Sequence, residues 1–417
     1  ILLLSPLPLV LGSVLTGVLL WGLSRWAPGR SRLWTRLALL WPSGVLAAIL
    51  LLMLDNFTYT LWRVGVLTTT RSRCYLYLGV ILGFWSISFS ACRRKLEQWA
   101  RAPKRVERGA IGTLAGLGVL WIVLLLLGFE RLRPVQAEET LARRPNILLL
   151  ASDGVNADRT SLYGYERDTT PFLSEFFREK SLFCENAFAN ALNSSGSIAS
   201  LLTGKLPTTL RVYYPPDILT GRHSYEHLPG LLRHKGYRTV DISQRHFADG
   251  FDLNLLHGFH EANWRTEPQG WWRSLAAHAP AANAAYFLQS TWERLRDRVL
   301  HAMHLRQVES AYAIVAQDLT GKKADDRQRI ERLRQWIADS DKRPFFAHVH
   351  LLGTHGPWFH SDNPVFSKGK TQQHKFERDF YDDAVLSFAR MTREIVEALE
   401  HAGTLDNTVI VLHSDPA

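Results

Sequence analysis

Cysteine is scarce, with three in 417 residues, and this leaves no material for a disulfide framework or a cysteine-ligated metal. Cys74 and Cys92 sit at the ends of apolar runs, and Cys184 lies in an apolar segment expected to be a strand. Internal repeats and low-complexity tracts are also absent, so neither a repeat array nor a disordered tail accounts for the chain. There is no initiator Met, and the chain opens inside an apolar run, so a truncated N-terminus is expected. Acidic residues are outnumbered, 39 against 49 Lys and Arg, for a net charge of +10. Much of that excess sits in short loops between apolar runs. It reads as membrane topology and lipid contact, not as nucleic-acid binding.

Charge is nearly missing from four stretches: Ile1 to about Leu23, Leu37 to Leu54, Cys74 to Cys92, and Ala110 to Phe129. Runs of about 20 apolar residues match a hydrocarbon core of about 30 Å, so residues 1–129 are expected to be a transmembrane region of about four helices. Arg25, Arg30, Arg32 and Arg36 follow the first run. Arg93, Arg94, Lys95, Arg101, Lys104, Arg105 and Arg108 follow the third. The positive-inside rule makes both loops cytoplasmic and puts everything after Phe129 outside, in a plasma or inner membrane. Residue 1 also falls outside by this rule, which suggests one further, earlier span. Trp21, Trp26, Trp34 and Trp41 near the span ends fit an interfacial belt.

Residues 130–144, with Pro134 and mixed charges, read as a linker, and residues 145–417 as one α/β domain. Strand-like runs at Ile147–Ala151, Ser181–Phe188, Tyr237–Ile242, Phe345–Leu352 and Thr408–His413 alternate with helical patterns. Those patterns cover Pro171–Lys180, Ser197–Leu202, Glu226–His234 and Tyr381–His401. This rhythm predicts a mostly parallel sheet sandwiched by helices. Residues 263–341 interrupt it with long Arg-rich helical stretches such as Trp292–Gln307, read as a surface insertion or a lid over a lipid-linked substrate.

The first strand delivers Asp153 at its carboxyl end, where ligands bind in open α/β sheets, so Asp153 is a candidate metal ligand. The run Asn193-Ser194-Ser195-Gly196-Ser197 opens a short helix. A hydroxyl there can act as a nucleophile eased by helix N-terminal amides, or can simply cap the helix.

Taken in order, these features resemble the sulfatase and alkaline-phosphatase superfamily. The matching residues are Asp153, Tyr163-Gly164-Tyr165 before Thr169-Thr170-Pro171-Phe172-Leu173, Leu201-Leu202-Thr203-Gly204, Lys235-Gly236-Tyr237-Arg238-Thr239, and Leu405 to Asp415. The resemblance implies an alkaline-phosphatase-like fold with Ser194 as nucleophile, ten positions before Gly204. Sulfatases converted to formylglycine carry Pro and Arg two and four positions after that residue, where this chain has Gly196 and Ile198. An unmodified Ser194 looks more like the Thr nucleophile of membrane-anchored lipoteichoic acid synthases and phosphoethanolamine transferases.

The turn after Phe345–Leu352 is where the family keeps a substrate-binding or acid/base histidine, which points to His355. His348 and His350 alternate with apolar residues and are read as structural, and Trp358 as a pocket wall or a packing residue. Ser243-Gln244-Arg245-His246 matches the place where sulfatases hold the sulfate with Lys and His, but Gln244 stands for the Lys. His246 and Arg245 are therefore substrate-binding candidates. Asp415 matches a metal-binding Asp that the family follows with a metal-binding His; here Pro416 and Ala417 follow, and a C-terminally incomplete domain is expected.

The resemblance implies one divalent cation (Mn, Zn, Ca or Mg) at Asp153, Ser194 and Asp415, and phosphoryl or phospho-alcohol transfer on lipid head groups or envelope glycans. The partners expected are membrane lipids and a lipid-linked or envelope substrate, with no nucleic acid. The alternatives are a sulfuric ester hydrolase and a catalytically inactive protein that senses lipid.

Overall fold

The computed structural model describes residues 31–62, 64–68, 71–100, 144–178, 180–215, 217–266, 279–305, 326–338 and 343–415. In chain order these form α1 (Ser31–Trp62), α2 (Arg71–Ala100), β1 (Asn146–Asp153), α3 (Pro171–Phe177), α4 (Ser194–Thr203) and α5 (Leu228–His234). There follow β2 (Arg238–Ile242), β3 (Glu261–Ala262), β4 (Arg265–Thr266), α6 (Ala279–Ala302), α7 (Asp326–Ala338), β5 (Phe345–Leu351), α8 (Arg378–His401) and β6 (Thr408–Asp415). Packing divides the chain into residues 1–131 with 274–310, and residues 132–273 with 311–417.

In the first unit α1 and α2 pair, and α6 packs with them around Leu51, Val66, Tyr77 and Ala302. Helix α6 lies within the expected insertion, yet its partners are α1 and α2, a pairing that no local pattern announces. Asp55 in α1 is buried, accepts the Val66 backbone N–H at 2.7 Å and pairs with Arg298 of α6. The outer faces carry exposed Met53, Phe57, Leu76 and Ile87, the apolar surface that a lipid environment would cover. Among the described residues one helical stretch, Tyr75–Lys95, is long and apolar enough to cross a membrane, and Ser43–Tyr59 is a shorter apolar stretch. The expected spans 1–23 and 110–129 lie outside the described residues, as do the linker up to residue 143 and much of the expected insertion.

The second unit holds a sheet of order β4-β3-β2-β5-β1-β6, parallel except for the β3–β4 pair and flanked by helices. Strand β1 is an almost unbroken apolar run because it is central and covered on both faces. Leu148 and Leu150 join Ala347 and Val349 of β5 beneath α3, α7 and α8. Leu149 and Phe346 face the other way, against Ile198 and Leu202 of α4. Each such side chain, fully buried, contributes about 1.5–3 kcal/mol. The strand expected at Ser181–Phe188 is instead irregular chain, with Leu182 and Phe188 almost fully exposed. Its apolar content is that of a strand, but no ladder partner meets it, and pairing is what makes a strand.

Helix α5 carries an unusual cap. The buried His227 ring accepts the Gly230 N–H on Nδ1 at 3.0 Å, while Nε2 faces the Ser224 and Leu256 carbonyls at 3.0 and 3.1 Å. That fixes the neutral tautomer, and burial pulls the ring from 6.5 down to about 4. The unfolded chain therefore takes up this proton first, so the stabilisation is complete above about pH 6.5 and is lost as pH falls to about 4. The full swing is about 3 kcal/mol. His227→Asn, which keeps a capping oxygen, should unfold at lower urea than wild type at pH 7.5, and the gap should shrink or close at pH 4.5.

Candidate metal centre and active site

Strand register assembles the site. Asp153 at the end of β1 pairs with Asp415 at the end of β6, and Ala151, one layer below, pairs with His350 on one side and His413 on the other. Alternation puts Asp153, Asp415 and His350 on the α4 face, and a one-residue slip would turn them away. All three side chains are buried, and their ligand atoms lie within 4.8 Å of one another, the one such cluster found among the described residues.

Helix α4 supplies Ser194. Asn193 caps it by accepting the Gly196 N–H at 3.0 Å, and the Ser194 hydroxyl, in the first turn, donates to Asp153 Oδ2 at 3.3 Å. The turn after β1 is pinned by the Tyr381 hydroxyl, which donates to the Gly154 carbonyl at 2.7 Å and accepts the Asn156 N–H at 2.8 Å. Thr354 donates to the Asp153 carbonyl at 2.6 Å and so ties the loop carrying His355 to the same strand end. Behind that loop, Asp326 accepts the Leu352 and Gly353 N–H groups, and Arg329 links Asp326 to Gln244 at 2.7 and 2.8 Å. A cavity of about 460 Å³ opens above these residues, lined by Asp153, Ser194, Gln244, His350 and His355 among others, a size suited to a small ligand.

The electrostatics point to a cation. Burial pushes Asp153 up to about 7, Asp415 adding to the rise, while His350 and Ser194 oppose it. Burial works against Asp415 as well, but His350, Ser194 and Asp153 hold it below its ordinary value. Burial alone would strip His350 of its proton, yet Asp415 and Asp153 lift it above the usual imidazole value. Neither Asp415 oxygen nor either His350 nitrogen makes a well-formed hydrogen bond, although His350 Nε2 lies 3.2 Å from Asp415 Oδ2. Buried acceptors left this way are costly, and a metal ion with carboxylate and imidazole ligands would satisfy them.

Comparison with known proteins decides the family: the family model Sulfatase matches residues 145–416. The chain belongs to the sulfatase family. It is 24% identical over 262 residues to the uncharacterized sulfatase YdeN of Escherichia coli, covering 59% of this chain and 42% of that protein. To human arylsulfatase A it is 24% identical over 303 residues, covering 66% of this chain and 52% of the relative. Among solved structures it is similar to the soluble domain of lipooligosaccharide phosphoethanolamine transferase A from Neisseria meningitidis. There the TM-score is 0.41 and the identity 12%, covering 67% of this chain and 68% of that one. The chain spans about half or less of the length of these curated relatives.

Within the sulfatase domain the structure brings Asp153, Ser194 and His355 to one cavity and adds His350, expected to be structural, while Asp415 sits behind the lining within ligand distance of Asp153 and His350. Strand alternation already put His348 and His350 on one face, but only the register with β1 and β6 shows that His350 reaches the acids. His348 fits the structural reading, as its Nδ1 pairs with buried Asp241 at 2.9 Å. Two expected substrate residues sit elsewhere. Arg245 turns to Asp252 at 3.3 Å, and the His246 backbone N–H is held by the same carboxylate at 2.9 Å with the residue at φ 68°. Neither lines the cavity, nor does Trp358, whereas Gln244 does. Burial lowers the His355 value, which favours its neutral form.

Proposed function

We propose that this domain transfers a phosphoryl or phospho-alcohol group from an ester at the membrane surface, through a covalent intermediate on Ser194. The observation that carries the proposal is the placement of the Ser194 hydroxyl in the first turn of α4, 3.3 Å from Asp153, in the cavity lined by Asp153 and His350 and beside the Asp153–His350–Asp415 cluster. Those three residues would hold a divalent cation, and the mixed carboxylate and imidazole set favours zinc or manganese over calcium or magnesium. When bound, the cation supplies positive charge against the charge that develops on the transferring group.

The chain's own residues do the rest. Ser194 Oγ forms a bond to phosphorus as the bond to the leaving oxygen breaks, and the hydroxyl proton ends on the departing oxygen. His355, whose neutral ring burial favours, donates its N–H to a non-bridging oxygen, and a second acceptor or water then releases the group from Ser194. The N-terminal amides of α4 face the developing anion. Multi-pass anchoring through the expected spans would put the cavity outside the cytoplasm, with lipid head groups or envelope glycans as substrates.

Sulfuric ester hydrolysis is the second reading, and family membership favours it. Position 196 weighs against the formylglycine route. A Cβ on Gly196 would stand 2.9 Å from Ala191 Cβ and 3.2 Å from the Val212 carbonyl, and Pro there would also lose the N–H that Asn193 caps. Turnover of bis(4-nitrophenyl) phosphate and of 4-nitrophenyl sulfate by the metal-loaded full chain separates the two. Faster sulfate release would overturn the proposal.

A further inference from the structure

One wall of the cavity presents two cations that the transfer chemistry above does not use. Arg159 comes from the short turn directly after β1, and Arg378 opens α8; both line the cavity that contains Ser194. Tyr165 holds them together. Its hydroxyl accepts from Arg159 Nη1 at 2.8 Å and from Arg378 Nε at 2.7 Å, and donates to Asp382 Oδ2 at 2.9 Å. A phenol has two acceptor sites and one proton, so all three are in use. The guanidinium carbons also lie 5.4 and 5.3 Å from the centre of the Tyr165 ring, within cation–π range.

Two like charges held by one tyrosine repel each other, and such an arrangement calls for counter-charge. Arg378 has some, from Glu166 and from Asp382 at 3.8 Å. Arg159 makes no ion pair among the described residues, although Asp158 is its neighbour in sequence. An arginine kept for packing alone is usually matched by a carboxylate. One that lines a cavity without a match, orientated by a fully used hydroxyl, presents a preorganised planar fork to an incoming anion.

We infer that Arg159 and Arg378 form a second anion subsite, so that the substrate carries a further phosphate group besides the ester attacked at Ser194. The inference rests on the phosphoester reading of that site and names its substrate class: a phosphoester bearing two separate phosphate groups. Phe359 and Phe376 in the same lining would cover the apolar spacer between them.

The test is calorimetric binding to the metal-loaded full chain of methylphosphonate and of a series of α,ω-alkane bisphosphonates with two to six carbons. A charge-assisted contact corresponds to about 10- to 100-fold in affinity. At least one bisphosphonate should therefore bind about tenfold or more tighter than methylphosphonate. Arg159→Gln should bring that ratio towards one, Arg159→Lys should keep part of it, and Tyr165→Phe, which loosens both guanidinium groups, should reduce it. Thermal melts of each variant separate misfolding from a lost contact. A ratio near one at every spacer length in wild type, or an unchanged ratio in Arg159→Gln, overturns the subsite. These outcomes are independent of turnover, so a failure of the Ser194 chemistry would show itself separately, as absent Ser194-dependent release of nitrophenol.

Discussion

Ser194→Ala should reduce turnover of bis(4-nitrophenyl) phosphate by about 10⁴-fold or more, the scale of removing a nucleophile that acts as a unit with its partners. The fold should tolerate the change. Asn193, not Ser194, caps α4, and Ala is the best helix former at the vacated position. Metal content should hardly change, because Asp153, His350 and Asp415 remain. The readouts are nitrophenol release, metal stoichiometry by mass spectrometry, and the thermal melt. Metal-dependent turnover surviving in the alanine variant would remove Ser194 from the mechanism. Loss of turnover together with loss of metal would instead make Ser194 a ligand first.

How much of this site was legible in the chain depends on how local each placement is. Asp153 and Asp415 close apolar runs, and Ser194 follows a capping Asn, so their positions at two strand ends and a helix start are written within a few neighbouring residues. The sheet was legible for the same reason, since β1, β2, β5 and β6 announce themselves as buried apolar runs. His350 was not, because its role depends on which strands flank β5 and in which register, and this is fixed by pairings across some two hundred residues. Arg245 and His246 lie outside the cavity lining because a nearby carboxylate, Asp252, holds the Arg245 side chain and the His246 backbone N–H, a capture that depends on the fold of the 245–252 turn. The segment 181–188 shows the opposite error: strand-like composition without a partner strand. Helix α6 was legible as a helix, but its packing against α1 and α2 depends on a buried carboxylate, Asp55, far away in sequence.

The second large effect is expected at Asp415, in metal affinity and in its dependence on pH. In the metal-free protein Asp153 and Asp415 share a buried corner and one proton, which resides on Asp153 because burial and Asp415 push that group from 3.8 up to about 7. A carboxyl whose folded value is raised is penalised as pH rises: between pH 3.8 and about 7 the unfolded chain ionises while the native state keeps the proton. The metal-free protein should therefore lose about 4 kcal/mol over that window through this group, and the penalty is complete above about pH 7. Asp415→Asn relieves Asp153 of a neighbouring charge, but it also takes from buried His350 the carboxylate 3.2 Å away that lifts it, and Asp415 itself is held below its ordinary value, so metal-free melts at pH 7.5 should fall relative to wild type. A divalent cation needs both carboxylates ionised and the His350 ring neutral, so it must displace the proton on Asp153 and the one that the two acids hold on His350. Its affinity for wild type should thus rise steeply with pH, by up to about 100-fold per unit while both groups hold their protons, with up to about two protons released on binding. Asp415→Asn should weaken that affinity by about 100-fold or more, the scale of removing one charge from a buried set. Titration calorimetry in two buffers of different ionisation enthalpy measures the proton count directly. If binding were pH-independent, or if the Asn variant bound zinc or manganese as tightly as wild type, the paired carboxylates would be a structural feature of the sheet edge and not a metal centre.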